Sequence, residues 1–174
     1  MRAFIVLLVA TTLARITYAA DPIRPDAYLT PGAVLTTDVS RICTPGYAKT
    51  VRHTSGRLKA FIYREYGIDR RGGHYEIDHL ISLELGCADV AKNLWPESYD
   101  TEPWNAHVKD RLENYLHGQV CAGRLPIEQA QREIATDWTA AYERYLGTSK
   151  QILGASERCC SGGRRATMPK RSVR

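Results

Sequence analysis

Tyr75-Glu76-Ile77-Asp78-His79-Leu80-Ile81-Ser82-Leu83-Glu84-Leu85-Gly86, followed closely by Asn93-Leu94-Trp95-Pro96, is the stretch on which the reading of this chain turns. It sets an acid beside an imidazole in a short apolar run and adds a carboxamide fourteen residues after the histidine. Successive side chains of a strand point to opposite faces. Asp78 and His79 therefore serve one site only if the strand ends or bends there. A carboxylate that holds a hard cation and a neutral imidazole that takes a proton from water are the parts of a hydrolytic centre.

Working outward, His74 to Ile81 reads as one strand and Lys92 to Trp95 as a second, with Gly86-Cys87-Ala88-Asp89 as the loop between them. Upstream, a helix is expected between about 46 and 66, because Leu58, Phe61, Ile62, Glu65 and Tyr66 keep a three-four rhythm. Gly67 stops it, and Arg71-Gly72-Gly73 makes a turn. Residues 21–45 are Pro-rich and irregular. Downstream, Asp100 or Thr101 caps a helix carrying Trp104, Val108, Leu112, Tyr115 and Leu116, ended by Gly118 or Gly123. Pro126 opens a last helix whose stripe is Ile127, Ala130, Ile134, Trp138, Ala141 and Tyr145. The element order predicts an α+β fold in a single domain, residues 21–146.

The two ends differ from this domain. Residues 1–20 have a positive start at Arg2, an apolar run of about a dozen residues and a small-residue ending at Ala19 or Ala20, the pattern of a secretory signal peptide. That run is well short of the roughly 20 residues that span a bilayer. The expectation is a secreted or periplasmic protein with no membrane attachment after cleavage. Residues 147–174 are Ser, Gly and Arg-rich without periodicity, which predicts a disordered basic tail.

All five cysteines lie in the mature region, where an oxidising compartment permits disulfides. Cys43 and Cys121 each stand beside an expected element end and flank the Asp78-His79 segment, so they are the expected pair. Such a bridge closes a long loop, worth on the order of 4 kcal/mol. No CxxC pair occurs, which disfavours a cysteine zinc site.

The formal charge of +5 is unevenly spread. Of 24 Lys and Arg, two lie in the leader and seven in the tail; one of 19 acids lies in the tail, leaving residues 21–146 at −3. Positive charge inside the domain is local. Lys49, Arg52, Arg57, Lys59, Arg64, Arg70 and Arg71 face only Glu65 and Asp69, and this cluster runs into the Asp-His strand. It is either a phosphate-steering surface or a solvated helix face.

The run Asp78-His79-Leu80-Ile81-Ser82-Leu83, then Leu85-Gly86, then Asn93-Leu94, resembles the HNH endonuclease motif, and residues 42–138 as a whole are similar to small exported bacterial HNH-type proteins. The resemblance implies a small ββα-metal unit packed with an N-terminal helix and a long C-terminal helix. It implies metal-dependent hydrolysis of phosphodiester bonds in DNA, or RNA, with low sequence selectivity. His79 would be the general base and Asp78 a metal ligand, while Asn93 would orient the histidine through the loop backbone. Asn105 is the favoured further ligand, giving an oxygen-rich site for Mg²⁺ or Mn²⁺. His107 competes with it and would imply Zn²⁺ or Ni²⁺. Lys109, Arg70 and Arg71 would contact phosphate. The chain departs from the family at Ser82, where Pro is usual, at Cys87, where Gly is usual, and in lacking zinc-binding cysteine pairs. The other reading is a catalytically inactive exported binding protein that keeps the ββα scaffold.

Overall fold

The computed structural model describes residues 23–69, 71 and 73–147; the leader, Arg70 and the tail from 148 onward lie outside the described residues. Three helices come first: α1 (Val39–Ile42), α2 (Tyr47–Val51) and α3 (Gly56–Glu65). An antiparallel hairpin follows, β1 (Tyr75–His79) and β2 (Leu94–Ser98), and then two long packed helices, α4 (Ala106–Cys121) and α5 (Ile127–Leu146). Among the described residues no helix is long and apolar enough to cross a membrane.

The expected helix over 46–66 is in fact two. Val51 ends α2, Arg52 turns to extended backbone, and the Ser55 hydroxyl caps α3 by accepting from the Leu58 amide at 3.2 Å. A tertiary contact breaks the run: Asp89 accepts from the His53 amide and from the Thr54 hydroxyl, taking two groups that a continuous helix would turn elsewhere. The region taken as irregular also holds a short helix, α1, capped by Asp38, whose carboxylate accepts from the Ser40 amide at 3.0 Å.

In the hairpin, Asp78 stands opposite Trp95, Glu76 opposite Glu97, and His79 opposite Leu94. Cross-strand partners share a face. Glu76, Asp78, Glu97 and Trp95 thus lie on one side, and Ile77, His79 and Leu94 on the other. Ile62 of α3 packs on Ile77 and Leu94. Both strands shift from expectation: β1 covers Tyr75–His79 rather than His74 to Ile81, and β2 starts at Leu94, because Ala91–Asn93 forms a 3₁₀ turn, and runs on to Ser98.

The main core lies between α4, α5 and the loop after β1. Leu112, Leu116, Ala130, Ile134 and Trp138 meet Ile81, Leu83 and Leu85 there. Asp100 and Thr101 do not cap α4. Asn105 does, accepting from the Val108 amide at 3.2 Å, so Trp104 precedes the helix and packs edge-on against Trp138. α5 keeps the expected stripe but kinks at Asp137, whose carboxylate accepts from the Thr139 and Ala140 amides, both at 3.1 Å. Cys43 and Cys121 are joined as a disulfide that ties the end of α1 to the end of α4.

Gly86 is the position where backbone freedom decides the fold. Its φ is +77°, and an added Cβ would overlap the Thr36 carbonyl oxygen and lie 2.8 Å from Ile42 Cδ1. Its own carbonyl accepts from the Leu35 and Thr36 amides at 2.9 and 3.0 Å, stitching the N-terminal segment to the loop. Gly86→Ala is therefore expected to cost about 2–4 kcal/mol in urea denaturation, strain and displaced backbone acting together. A loss under half a kcal/mol would show that the loop relaxes freely.

Candidate functional site

The loop between the strands is shaped by one carboxamide. Asn93 Oδ1 accepts from the Ile81 amide at 3.1 Å and the Ala33 amide at 3.3 Å, while its Nδ2 donates to the carbonyls of Ile81 at 3.0 Å and Ala88 at 3.3 Å. With no solvent exposure, Asn93 spends its whole hydrogen-bonding capacity on backbone. It anchors the segment that follows His79 and brings Asp89 back toward β1.

His79 is the last residue of β1 and only 2% exposed. Its Nε2 lies 2.9 Å from Asp89 Oδ1. Burial, outweighing the neighbouring carboxylates, lowers the imidazole pKa and keeps the ring neutral. Burial works against the Asp89 carboxylate as well, but hydrogen bonds from Thr54, the His53 amide and His79 outweigh it and hold its pKa low. An ionised carboxylate only accepts, so the proton sits on His79 Nε2 and the lone pair on Nδ1. This is a neutral, oriented imidazole. The same Asp89 ties it to the loop Arg52–Ser55 through the His53 amide and the Thr54 hydroxyl.

Asp78 points to the other face and meets α4. Lys109 Nζ donates to Asp78 Oδ2, to Glu113 Oε1 one helical turn away, and to the His79 carbonyl at 2.7 Å; Glu97 Oε2 lies 3.8 Å off. Lys109 is wholly buried and Glu97 is 2% exposed, with neither of its oxygens hydrogen-bonded. One ammonium thus faces three carboxyls. It can neutralise a single negative charge, and a second buried charge without a partner costs several kcal/mol. Asp78 takes the charge: burial pushes its pKa up, but the Lys109 charge and hydrogen bond pull it below the usual carboxylate range. Burial drives Glu97 well above that range and pushes Glu113 up to about 8, despite the nearby ammonium. The burial of Lys109 is likewise overcome by the carboxyls, whose charge raises its pKa and keeps it protonated.

The remaining residues expected at the site fall elsewhere. Asn105 uses its side-chain oxygen as the α4 cap and donates from Nδ2 to Glu102 at 3.3 Å. His107 is exposed, with its ring against Tyr99 at 5.1 Å between centroids. Lys109, expected at phosphate, has its ammonium buried and committed to Asp78, Glu113 and the His79 carbonyl. Arg71 is exposed on the turn before β1, at the end of the strand far from His79, and Arg70 lies outside the described residues. The expected ligand set therefore does not fit a divalent cation: Asp78 is paired to a lysine, Asn105 is spent on a helix end, and His107 leans on an aromatic ring.

Three residues of the cluster escape a reading of the sequence. Glu113 had a signal, four residues after Lys109 on one helix, the spacing of a paired acid and base. Glu97 had only its cross-strand register with Glu76. Asp89 had none, since loop closure alone brings it to His79.

These features define a small α+β protein in which a hairpin and its trailing helix enclose a polar cluster. No family model, curated protein or solved structure matches the chain.

The cluster makes two measurable demands. Lys109→Met strands Asp78 as an uncompensated buried charge and is expected to cost about 3–5 kcal/mol by chemical denaturation. For Glu113, the folded pKa of about 8 lies above the ordinary 4.5, so the folded chain holds a proton that the unfolded chain has released. Stability then falls as pH rises from about 5 to about 8. A Glu113→Gln chain should show a shallower fall across that window, and a slope equal to the parent's would assign the proton elsewhere.

Proposed function

We propose that this chain is an exported, nucleic-acid-binding protein built on an HNH-like ββα scaffold, with its own lysine standing where that family holds a catalytic cation. It binds phosphate polymers without cleaving them. The observation that carries this reading is Lys109 Nζ, seated on Asp78, Glu113 and the His79 carbonyl. A divalent ion at Asp78 would meet the buried ammonium that already pairs with that carboxylate, and the two cations would repel. The burial of His79 against Asp89 points the same way.

For binding, the supporting feature is the local excess of positive charge. Lys49, Arg52, Arg57, Lys59, Arg64 and Arg71 are all exposed, whereas the domain as a whole is acidic. Contacts from such a face go to phosphate and carry little sequence information. Affinity should therefore fall steeply with salt. The disulfide and the signal-like leader support an oxidising compartment outside the cytoplasm.

A second reading has its own support in the His79–Asp89 pair. A neutral imidazole fixed by a carboxylate is suited to deprotonating water, and hydrolysis of DNA or RNA phosphodiesters with Mg²⁺ or Mn²⁺ is the activity it would serve.

One pair of measurements separates the two. Supercoiled plasmid with Mg²⁺ or Mn²⁺ should show no nicking above an EDTA control. The same DNA should be retained in a low-salt mobility shift, at least about tenfold more weakly for the Lys49, Arg52 and Arg57 triple alanine chain. Metal-stimulated nicking that disappears in His79→Ala would replace the first reading with the second.

A further inference from the structure

Among the described residues, one group of metal-ligating side chains lies apart from the hairpin cluster. Cys43 Sγ, Cys121 Sγ and a ring nitrogen of His117 all fall within 4.8 Å of one another. His117 and Cys121 are one turn apart on α4 and share a face. Cys43 arrives from the C-terminal end of α1, 78 residues away in sequence. The His117 Nε2 atom lies 3.3 Å from Cys121 Sγ and 3.4 Å from the Ile42 carbonyl oxygen. Spacing along the chain gives no hint of this triad, because Cys43 joins it only through the packing of α1 on α4.

In the oxidised chain both sulfurs are taken up in the disulfide. We infer that the reduced chain uses Cys43, Cys121 and His117 to bind a soft divalent cation of the zinc class, so that a metal clasp replaces the disulfide clasp at the same place. The donors are two sulfurs and one imidazole nitrogen, the set that Zn²⁺ accepts in tetrahedral geometry with a water or a fourth donor completing it. In the bridge the two sulfurs are bonded to each other, so on reduction they must part before they and the His117 nitrogen, 3.3 Å from Cys121 Sγ, can surround one ion. Cys121 is exposed and the other two are half-buried, so the ion has a way in.

The chemistry balances with a dithiol as reductant. Its thiolate attacks one sulfur of the bridge and its second thiol resolves the mixed disulfide. The dithiol leaves as its own cyclic disulfide, while Cys43 and Cys121 become two thiols. The metal then displaces one proton from each thiol, releasing two protons to solvent. His117 donates the Nε2 lone pair and carries its remaining proton on Nδ1. Cys87 is no competitor, because it is buried and burial drives its thiol far from ionisation. The clasp joins α1 to α4 in either state, and the two forms belong to different redox environments.

The test uses the full chain with Cys159 and Cys160 replaced by Ser, so that only the cysteines described above contribute. After reduction with a phosphine and its removal under nitrogen, Co²⁺ is titrated and thiolate-to-cobalt charge-transfer absorption is followed; Zn²⁺ then displaces it. The expected result is one equivalent bound by the reduced chain and none by the oxidised chain. Cys121→Ser should abolish the charge-transfer band. His117→Ala should weaken binding by about a hundredfold, one donor's share of the affinity, and His117→Cys should restore it. Far-ultraviolet circular dichroism runs in parallel, and a fold lost on reduction but regained with Zn²⁺ also supports the clasp. Absence of binding by the reduced chain, with or without its fold, overturns the inference. So does binding that is indifferent to both His117→Ala and Cys121→Ser.

Discussion

The Lys109 ammonium is the constraint around which this protein is arranged. It is wholly buried, and a cation taken out of water persists only if oxygens surround it closely enough to replace its hydration. Asp78, Glu113 and the His79 carbonyl do this from a strand, a helix and a strand end. The contact therefore welds β1 to α4 at the point where the hairpin would otherwise open. It also sets the protonation of its surroundings. With one positive charge available, one carboxylate stays ionised, and Glu97 and Glu113 are forced toward their neutral forms.

The alternation of the strand then separates two chemistries. Asp78 faces α4 and is consumed by the lysine, while His79 faces the loop Arg52–Ser55 and is held by Asp89. Adjacent in sequence, they are divided by the sheet. Asn93 serves as backbone scaffolding in the loop after His79, next to the Asp89 that pairs with the histidine. The imidazole is poised but enclosed, and the carboxylate is charged but occupied. Each of the two groups is thus committed to a neighbour within the fold.

Much of this architecture was legible beforehand, and the exceptions share a cause. The stripes of α4 and α5 announced themselves because their apolar faces bury against one another, and burial is what periodicity records. The strand pair was visible for the same reason. The Cys43–Cys121 bridge was expected from the positions of both residues at element ends. By contrast, the break between α2 and α3 depends on Asp89, nearly forty residues away, and no local signal marks it. Asn105 gave no hint of whether its oxygen would serve a metal or a helix end. The free amides of the first turn of α4 settled that. Lys109 read as a phosphate contact because lysine is usually exposed; three carboxyls converge on its buried ammonium instead.

By itself, the sequence determined which segments bury one face and which must turn, hence the hairpin, the two long helices and their order. Those properties follow from side-chain period and backbone chemistry over a few neighbouring residues. Only the tertiary structure decided the partners of the polar groups: Lys109 with Asp78, His79 with Asp89, Asn93 with three stretches of backbone, His117 with a bridge formed from a distant helix. The physical reason is that a charge or an amide leaving water must find compensation somewhere, and where depends on which distant elements the apolar packing has already brought within reach.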